Sequence, residues 1–328
     1  MRLSHLGKTG PEVSVLGFGA WGLSGDYGPA HDATSILTIR RALDLGVTLI
    51  DTADEYGNGH NERIVGQAIR GRRANVVLAT KAGLVRGDDG SPAVCGEGDH
   101  LRSALDASLR RLGVDSVDLF YLHRVDRSIP VEESIGAMAE LVSAGKALAI
   151  GVCEATAEEI RRAHSVHPLS AVQSEYSLFT RDPESGVLPC VRALGIGFVA
   201  FSPLGRGLLT GALTSSDAFT AKDFRRNLPR FEETNLQRNL ELLRPLRRLA
   251  ADKGATEGQV ALAWLLEQGV VPIPGTRSAS HLEENVAAVQ VELSAAEVAL
   301  LDEAFPPGVA SGPRYPGAMS ALRGTQPQ

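Results

Sequence analysis

Residues 47–56 read VTLIDTADEY, an apolar run of strand length that ends at an aspartate and continues into a loop. The same pattern returns at 76–81, VVLATK, and at 117–123, VDLFYLH, with amphipathic stretches of helical length between the runs. Apolar runs that alternate with amphipathic helices are typical of successive βα units around a parallel sheet. The chain is therefore expected to belong to the α/β class.

Followed outward, this pattern gives eight candidate strands, at 16–20, 47–51, 76–80, 117–122, 148–152, 171–175, 197–201 and 270–273. Helical patterns lie between and after them, at 32–45, 61–70, 99–112, 131–144, 156–166, 187–194, 235–253, 256–268, 280–290 and 294–304. No linker rich in proline or serine divides the units. The sequence thus predicts one closed (β/α)8 TIM barrel that spans residues 1–328 as a single domain.

Some segments lie outside the regular repeat. Residues 1–15 are expected to form an N-terminal β-hairpin that could close one barrel end, and residues 306–328 form a C-terminal tail rich in proline and glycine. The connections 82–98 and 203–234 are much longer than ordinary βα loops, so they and the tail are predicted to cover the C-terminal face. Four helix starts carry capping-box spacing, at Thr156/Glu159, Thr256/Gln259, Ser280/Glu283 and Ser294/Glu297.

Composition excludes several classes of protein. The 328 residues are 43% hydrophobic and 22% charged, which is globular, and the net charge of -6 comes without a basic block, so nucleic acid is not an expected partner. Cys95, Cys153 and Cys190 lack metal-ligand spacing, so no metal is expected, and their odd number suits a reducing compartment. No apolar run approaches the ~20 residues that cross a bilayer. We expect a soluble cytoplasmic protein with no membrane partner, and the oligomeric state stays open.

Ionisable residues stand where three apolar runs stop. Asp51, Lys81 and His123 end neighbouring strands, and Tyr56 follows Asp51 by five residues, so all four are expected at one rim of the barrel. A phenol of pKa about 10 becomes a better acid when an ammonium stabilises its phenolate. Lys81 would do this for Tyr56, Asp51 would fix the lysine, and His123 would polarise a substrate oxygen. The set predicts proton donation to a carbonyl oxygen.

Other interpretations of these residues stay open at this point. Asp51 and Lys81 could be a structural ion pair, or Lys81 could be the Schiff-base amine of an isomerase or aldolase. Residues 17–22, GFGAWG, fit a dinucleotide-binding fingerprint, but Gly25, Gly28 and Pro29 oppose the helix that a Rossmann fold requires next.

A reduction needs a bound hydride source, most simply a nicotinamide dinucleotide. Barrels often bind phosphate between the loops that follow strands seven and eight. These loops read SPLGRG at 202–207 and PGTR at 274–277, and each offers backbone donors beside an arginine. Both are candidate sites for a pyrophosphate or a 2′-phosphate.

The chain resembles the aldo-keto reductase superfamily over nearly its whole length. The resemblance rests on DTADEYG at 51–57, on Lys81 and His123, and on the N-terminal hairpin. QSEYS at 173–177 and SPLGRG are most similar to bacterial and fungal reductases related to pyridoxal reductase and to the potassium-channel β subunits. The resemblance implies reduction of a small aldehyde or ketone to an alcohol, with NADPH favoured over NADH and the proton coming from Tyr56. It also implies an alternative, an NADPH-binding redox-sensing regulatory subunit with weak reductase activity.

The resemblance further implies a cofactor that lies extended across the barrel mouth. Tyr176 would stack on the nicotinamide, Gln173 would hold its carboxamide, and Trp21 would line the substrate pocket together with Tyr56 and His123. The remaining cofactor residues implied are Ala20, Trp21, Asp51, Cys153, Glu154, Ser202, Pro203, Leu204, Gly205, Arg206, Arg225, Gly275, Thr276, Arg277, His281, Glu284 and Asn285. Among these, Arg277 would meet the 2′-phosphate, Glu284 and Asn285 would lie near adenine, and Arg225 would close over the adenosine half.

Two positions depart from the family pattern. Cys153 stands where relatives commonly carry a serine beside the carboxamide, and it either weakens that contact or acts as a small buried filler. His281 stands where relatives tend to carry glutamine or arginine near the 2′-phosphate. Arg86, Arg124, Arg225 and Arg314 could each recognise an anionic substrate or simply face water. The substrate itself is not readable from the sequence.

Overall fold

The computed structural model describes residues 1–87 and 91–317. Its strands are β1 (Leu3–His5), β2 (Glu12–Ser14), β3 (Phe18–Gly19), β4 (Leu49–Asp51), β5 (Val77–Ala82), β6 (Leu84–Arg86), β7 (Pro92–Val94), β8 (Leu119–Leu122), β9 (Ile150–Cys153), β10 (Ala171–Glu175), β11 (Gly197–Phe201) and β12 (Val271–Pro272). Eight of them pair in parallel in the order β3, β4, β5, β8, β9, β10, β11, β12.

Backbone hydrogen bonds join the first and last strands of this sheet. The Gly17 N–H donates to the Pro272 carbonyl at 2.9 Å, and the Gly19 N–H donates to the Pro274 carbonyl at 3.4 Å. The sheet therefore curls back on itself, and the predicted (β/α)8 barrel is confirmed.

The α-helices surround the barrel close to their predicted positions. They are α1 (Asp32–Asp44), α2 (His60–Ile69), α3 (Gly98–Leu112), α4 (Val131–Ser143), α5 (Ala157–Val166), α6 (Val187–Leu194), α7 (Glu233–Leu242), α8 (Arg244–Lys253), α9 (Glu257–Glu267), α10 (Ala279–Ala287) and α11 (Ala295–Ala304). Within the described ranges, no helix is long and apolar enough to cross a membrane.

One predicted helix and one predicted capping box differ from the structure by more than a shift of a few residues at a helix end. The helix expected over 235–253 is two helices that meet at Leu243, because Pro245 has no N–H to donate and suits the first turn of a new helix. The box expected at Ser280 and Glu283 is wrong: α10 begins earlier, and its cap is Ser278, whose hydroxyl accepts the His281 N–H at 3.5 Å. The other three capping boxes form.

The amino-terminal end of the barrel is filled and closed. Inward-facing apolar side chains such as Leu49, Leu119 and Val199 form an interior cluster that also includes Leu6 and Val13 of the β1–β2 hairpin. Leu6 and Val13 are both 0% exposed, so the hairpin seals this end. A site that binds small molecules must therefore lie at the opposite, carboxyl end of the strands.

Long connections cover that carboxyl end. The 82–98 connection contains the antiparallel pair β6–β7, which the sequence did not predict, and its residues 88–90 lie outside the described residues. The 203–234 connection is built from short 3-10 turns and meets the loop after β3, where the Phe224 N–H donates to the Asp26 carbonyl at 2.8 Å. Of the tail, residues 318–328 lie outside the described residues.

Candidate active site

Three strand ends bring the predicted ionisable residues together. Asp51 ends β4, Lys81 is the penultimate residue of β5, and His123 directly follows β8. The Lys81 ammonium donates to the Asp51 carboxylate, to the Thr52 carbonyl at 2.9 Å and to the Tyr56 hydroxyl at 3.3 Å. Parallel strands end on the same edge of a sheet, which is why residues far apart in sequence meet here.

Lys81 is held as an ammonium ion by this arrangement. Its side chain is fully buried, and burial alone would lower its pKa. The charge of Asp51 and the neighbouring Tyr56 outweigh burial, so the pKa of Lys81 lies above its usual value. The positive charge therefore persists next to the phenol at neutral pH.

Burial of the Tyr56 hydroxyl raises its pKa above the usual value, although the Lys81 charge and hydrogen bond lower it. Lys81 thus lowers the Tyr56 pKa, as the sequence predicts, but burial raises this pKa by more, and the Asp51 charge adds to the increase. The phenol is protonated at neutral pH and can act as an acid.

His123 is neutral in this site. Burial, Arg124 and Lys81 together hold its pKa well below the usual value, and the side chain is 5% exposed. Its ring lies edge-on to the Tyr56 ring, with centroids 5.8 Å apart, and its Nδ1 has no hydrogen-bond partner in the described part of the chain. A neutral imidazole has one N–H, which can donate to a substrate oxygen near the phenol.

Gln173 and Cys153 line the floor next to this cluster. The Gln173 side-chain amide donates to the second oxygen of Asp51 at 2.7 Å, so both carboxylate oxygens of Asp51 are held. Cys153 is 1% exposed and belongs to the apolar barrel interior, and burial raises its thiol pKa to about 12. This burial favours the second alternative for Cys153, a small side chain that fills space in the barrel interior.

An aromatic wall stands beside Tyr56. Trp21 opens a 3-10 turn directly after buried Ala20, whose N–H donates to the Asp51 carbonyl at 2.8 Å. The Trp21 ring contacts Tyr27 and Phe224 edge-on, at centroid distances of 4.9 and 5.3 Å, and lies 6.5 Å from the Tyr56 ring. Trp21 is only partly buried, so one side of its ring can face a ligand.

The structure contradicts the stacking role expected of Tyr176. Its side chain is 0% exposed, its ring packs on Phe198 and Trp264, and its hydroxyl donates to Glu184 at 2.8 Å. Side chains alternate along a strand, and Gln173 points into the barrel, so a residue three positions later points outward. Tyr176 therefore packs outside the barrel and cannot stack on a nicotinamide.

Phe201 is the aromatic residue that sequence reasoning missed. It ends β11, packs against the interior cluster and stays partly exposed at the barrel mouth. The signal was present in the sequence, because Phe201 immediately precedes the SPLGRG segment and shares the inward parity of Val199.

The Arg206 guanidinium, in the predicted phosphate loop, is buried against neighbouring side chains, and its role beside a phosphate stays a prediction. It lies 5.4 Å from the Trp21 ring centroid and donates to Glu175 at 3.2 Å and to the Tyr315 hydroxyl at 2.7 Å. The backbone of this loop is unusual, since Ser202, Gly205 and Arg206 all have φ near +50°. Such turns direct successive N–H groups to one side, which suits an anion, while Pro203 and Leu204 complete the turn.

Three of the expected cofactor residues, Gly275, Thr276 and Arg277, lie in the loop between β12 and α10. A Cβ on Gly275 would lie 2.4 Å from the Gly19 carbonyl oxygen, so glycine lets this loop approach β3. Arg277 donates to the carbonyls of Gly28 and Pro29, at 2.8 and 2.6 Å, while the Thr276 hydroxyl accepts the Ser278 N–H at 3.1 Å.

The other adenosine-side residues lie on α10 or in the 203–234 connection. Glu284 accepts the Thr256 hydroxyl at 2.7 Å, Asn285 is 7% exposed, and His281 is exposed. Arg225 forms two hydrogen bonds with the Asp223 carboxylate, at 3.0 and 2.7 Å, so its charge is already neutralised by a neighbour. This pairing weakens the expectation that Arg225 closes over the adenosine.

Within residues 1–87 and 91–317, no group of three or more His, Cys, Asp or Glu side chains is arranged to hold a metal ion. A barrel whose polar residues converge at the carboxyl ends of its strands, around a buried ammonium and a phenol, has the architecture of a barrel enzyme with acid–base chemistry.

Comparison with known proteins identifies the family. Residues 15–305 match the model of the aldo/keto reductase family. The aldo-keto reductase yakc of Schizosaccharomyces pombe, which its name describes as an NADP(+) enzyme, is 43% identical over 319 residues that cover 94% of each chain. The chain belongs to the aldo/keto reductase family.

Solved structures agree with this assignment. The glycerol dehydrogenase of Gluconobacter oxydans has a TM-score of 0.84 and 30% identity, with 96% of this chain and 98% of that chain covered. An aldo/keto reductase of Klebsiella pneumoniae, solved with NADP and acetate, has a TM-score of 0.72 and 29% identity, with coverage of 90% and 93%.

Proposed function

We propose that this protein reduces an aldehyde or ketone to an alcohol, with NADPH as reductant and Tyr56 as the proton donor. The observation that carries the proposal is the 3.3 Å hydrogen bond from the Lys81 ammonium to the Tyr56 hydroxyl. In that bond the phenol oxygen is the acceptor, so the phenol O–H remains available to donate to a substrate oxygen. The name of the S. pombe relative supports the choice of NADPH.

NADPH, when bound, supplies the hydride that reaches the carbonyl carbon. The chain's residues manage the proton and the developing charge. Tyr56 and the neutral His123 both direct a donor at the carbonyl oxygen, and this polarises the carbonyl bond. Tyr56 then gives up its proton, and the adjacent Lys81 ammonium stabilises the phenolate that forms.

The residues at the barrel mouth fit such a cofactor. Gln173 lies within β10, and Glu154 directly follows the neighbouring strand β9; both offer polar groups to a carboxamide, and Phe201 offers an aromatic face to the nicotinamide ring. The left-handed turn at 202–207 suits the pyrophosphate, and Arg277 adds positive charge for a 2′-phosphate. Trp21 bounds the substrate pocket.

An aldolase-type role for Lys81 is disfavoured by its contacts. A Schiff base requires a neutral amine, whereas Asp51 and Tyr56 raise the Lys81 pKa and hold the ammonium form. The alternative function, a redox-sensing regulatory subunit, would use the same NADPH site but would reduce carbonyl compounds only slowly. The cytoplasmic location and the single-domain organisation stay predictions.

The Tyr56→Phe variant tests the proposal. It keeps the ring and loses the proton, so we expect the NADPH-dependent reduction of a panel of aldehydes and ketones to fall by about 10²–10⁴-fold. NADPH affinity, followed by cofactor fluorescence, should stay unchanged. Tyr176→Phe is the matched control, because its hydroxyl contacts Glu184 away from the site and its loss should not change the rate.

Three outcomes would contradict the proposal. Wild-type rates in Tyr56→Phe would exclude it as the acid, and absence of NADPH binding by the wild-type protein would exclude the cofactor. NADPH binding with negligible turnover across the whole panel would favour the regulatory alternative.

A further inference from the structure

A buried charge network ties the C-terminal segment to the end of β9. Arg314 lies in the segment after α11 and is 7% exposed, although no helix or strand fixes that segment locally. One of its terminal nitrogens donates to both oxygens of Glu154, at 3.1 and 3.0 Å. The same nitrogen lies 3.2 Å from Glu175. A side chain from the end of the chain therefore bridges two carboxylates at the barrel mouth.

Glu154 is held in a constrained position. It follows Cys153 at the end of β9 with a φ of +52°, a left-handed conformation that is costly for a residue with a Cβ. Its N–H donates to the Gln173 carbonyl at 2.9 Å, and its carboxylate accepts the Glu175 N–H at 2.9 Å. Backbone and side chain are both fixed, so the direction of the carboxylate is determined by its partners.

Two carboxylates buried side by side require cations to remain ionised. Glu154 and Glu175 are 6% and 3% exposed, and burial alone would raise the pKa of each. The guanidinium groups reverse this: Arg314 is the largest opposing influence on both, and the net pKa of Glu154 and Glu175 is lowered. Arg206 and Arg230 contact Glu175, whereas Arg314 also contacts Glu154.

We propose that Arg314 is a positioning residue for cofactor binding, which keeps the Glu154 carboxylate oriented to accept a hydrogen bond from the nicotinamide carboxamide. This inference rests on the proposed function, since it assumes that the cofactor's carboxamide lies between Glu154 and Gln173. Arg314 itself does not touch the cofactor in this proposal. The C-terminal segment thereby contributes to holding the nicotinamide end and not the adenosine end.

The segment has the anchors that such a role requires. The Ser311 N–H donates to the Asn239 side-chain oxygen at 2.7 Å, and Asn239 donates back to the Ser311 carbonyl at 3.0 Å. The Tyr315 hydroxyl accepts from Arg206 at 2.7 Å. Arg314 is thus flanked by residues that are anchored to α7 on one side and to Arg206 on the other.

The test compares two ligands on the Arg314→Met variant. NADPH spans the whole site, whereas 2′,5′-ADP carries only the adenosine half with its phosphates. We expect the dissociation constant for NADPH to rise about tenfold or more, because a charge-assisted contact is lost at the nicotinamide end. The constant for 2′,5′-ADP should change by less than about twofold. A general distortion of the site would weaken both ligands alike.

A second substitution tests whether Arg314 acts through Glu154. Glu154→Gln removes the carboxylate that Arg314→Met would leave buried and unpaired. The double variant should therefore bind NADPH more tightly than Arg314→Met alone, within about threefold of Glu154→Gln. Arg314→Lys keeps the positive charge but lacks the guanidinium nitrogen that reaches both carboxylates, so its affinity for NADPH should be intermediate. This variant also tests the proposal if Arg314→Met fails to fold.

Arg230→Met is the matched control. Arg230 lies in the same network, 3.8 Å from Glu175 and 2.7 Å from the Thr180 hydroxyl. Its removal should lower thermal stability and leave the ratio of the NADPH and 2′,5′-ADP constants unchanged. Equal weakening of both ligands by Arg314→Met, or a double variant no better than the single one, would overturn the inference.

The outcomes for the two proposals are separable. If the wild-type protein fails to bind NADPH, the proposed function fails before Arg314 is tested. If the wild-type protein binds NADPH and reduces carbonyl compounds while Arg314→Met binds both ligands normally, only the role of Arg314 is refuted.

Discussion

The buried pair of Lys81 and Asp51 should dominate the energetics of the barrel rim at the candidate active site. Lys81→Met leaves the Asp51 carboxylate 3% exposed without its cation, and Asp51→Asn leaves the Lys81 ammonium 0% exposed without its anion. Breaking a buried ion pair from one side costs about 3–5 kcal/mol, because a charge is left in a medium that solvates it poorly. Each single variant should lose that much stability.

The double variant should lose much less than the sum of the two. It leaves no buried charge at this position, so the coupling free energy between the substitutions should be at least about 3 kcal/mol. For 328 residues the entropy of unfolding is about 0.7 kcal/mol/K near the midpoint. A loss of 3–5 kcal/mol therefore lowers the apparent Tm by about 4–7 °C.

Differential scanning calorimetry at pH 7 and urea unfolding measure these values. The exposed pair of Arg162 and Glu132, with side chains 46% and 37% exposed, is the control cycle, and its coupling should be below about 1 kcal/mol. If Lys81→Met shifts the apparent Tm no more than Arg162→Met does, the pair is solvated and our account of the rim is wrong. The same Lys81→Met variant should lose about 10²-fold or more of its reductase rate.

Two further predictions concern the pH dependence of stability. Asp54 is half-buried, its inaccessible Oδ1 has no partner among the described residues, and burial followed by the charge of Glu62 raises its pKa to about 7. An acidic group whose pKa is raised in the folded state lowers the free energy of unfolding as pH rises. The stability of Asp54→Asn relative to the wild type should therefore increase by up to about 4 kcal/mol between pH 4 and pH 7, as measured by urea unfolding. A difference independent of pH would refute this. For Glu175, burial would raise the pKa, but Arg314, Arg206 and Arg230 lower it to about 2, so its stabilisation is present above about pH 4.5 and is lost as pH falls toward 2. Between pH 4.5 and pH 2 the wild type should lose roughly 3 kcal/mol more unfolding free energy than Glu175→Gln, so its apparent Tm should fall more steeply. Equal slopes of Tm against pH in the two proteins would contradict the proposed charge network.

Most of the rim was predictable because parallel strands all end on one edge. Asp51 ends β4, Lys81 lies one residue before the end of β5, and His123 directly follows β8, so the pattern that predicts the strands also predicts that these residues meet. The alternation of side chains along a strand would have corrected the prediction for Tyr176 and would have identified Phe201. Strand parity, counted from Gln173 and Val199, assigns Tyr176 to the outside and Phe201 to the inside.

The electrostatic balance at Tyr56 was not predictable in the same way. The sequence indicates that an ammonium lies near the phenol, which lowers its pKa. Burial acts in the opposite direction and is larger, and burial depends on the packing of Trp21 and His123 around the ring. No local pattern in the sequence determines how many such groups surround the hydroxyl.

The sequence by itself determined the barrel, its hairpin cover and the convergence of three ionisable strand ends, because these follow from short-range periodicity and from the common direction of parallel strands. Tertiary structure alone decided the partners of the long arginine side chains. Arg206 turns inward to Glu175, and Arg314 reaches Glu154 from 160 residues away. A flexible guanidinium binds whichever carboxylate the fold brings within reach, so its partner is fixed by three-dimensional proximity and not by sequence.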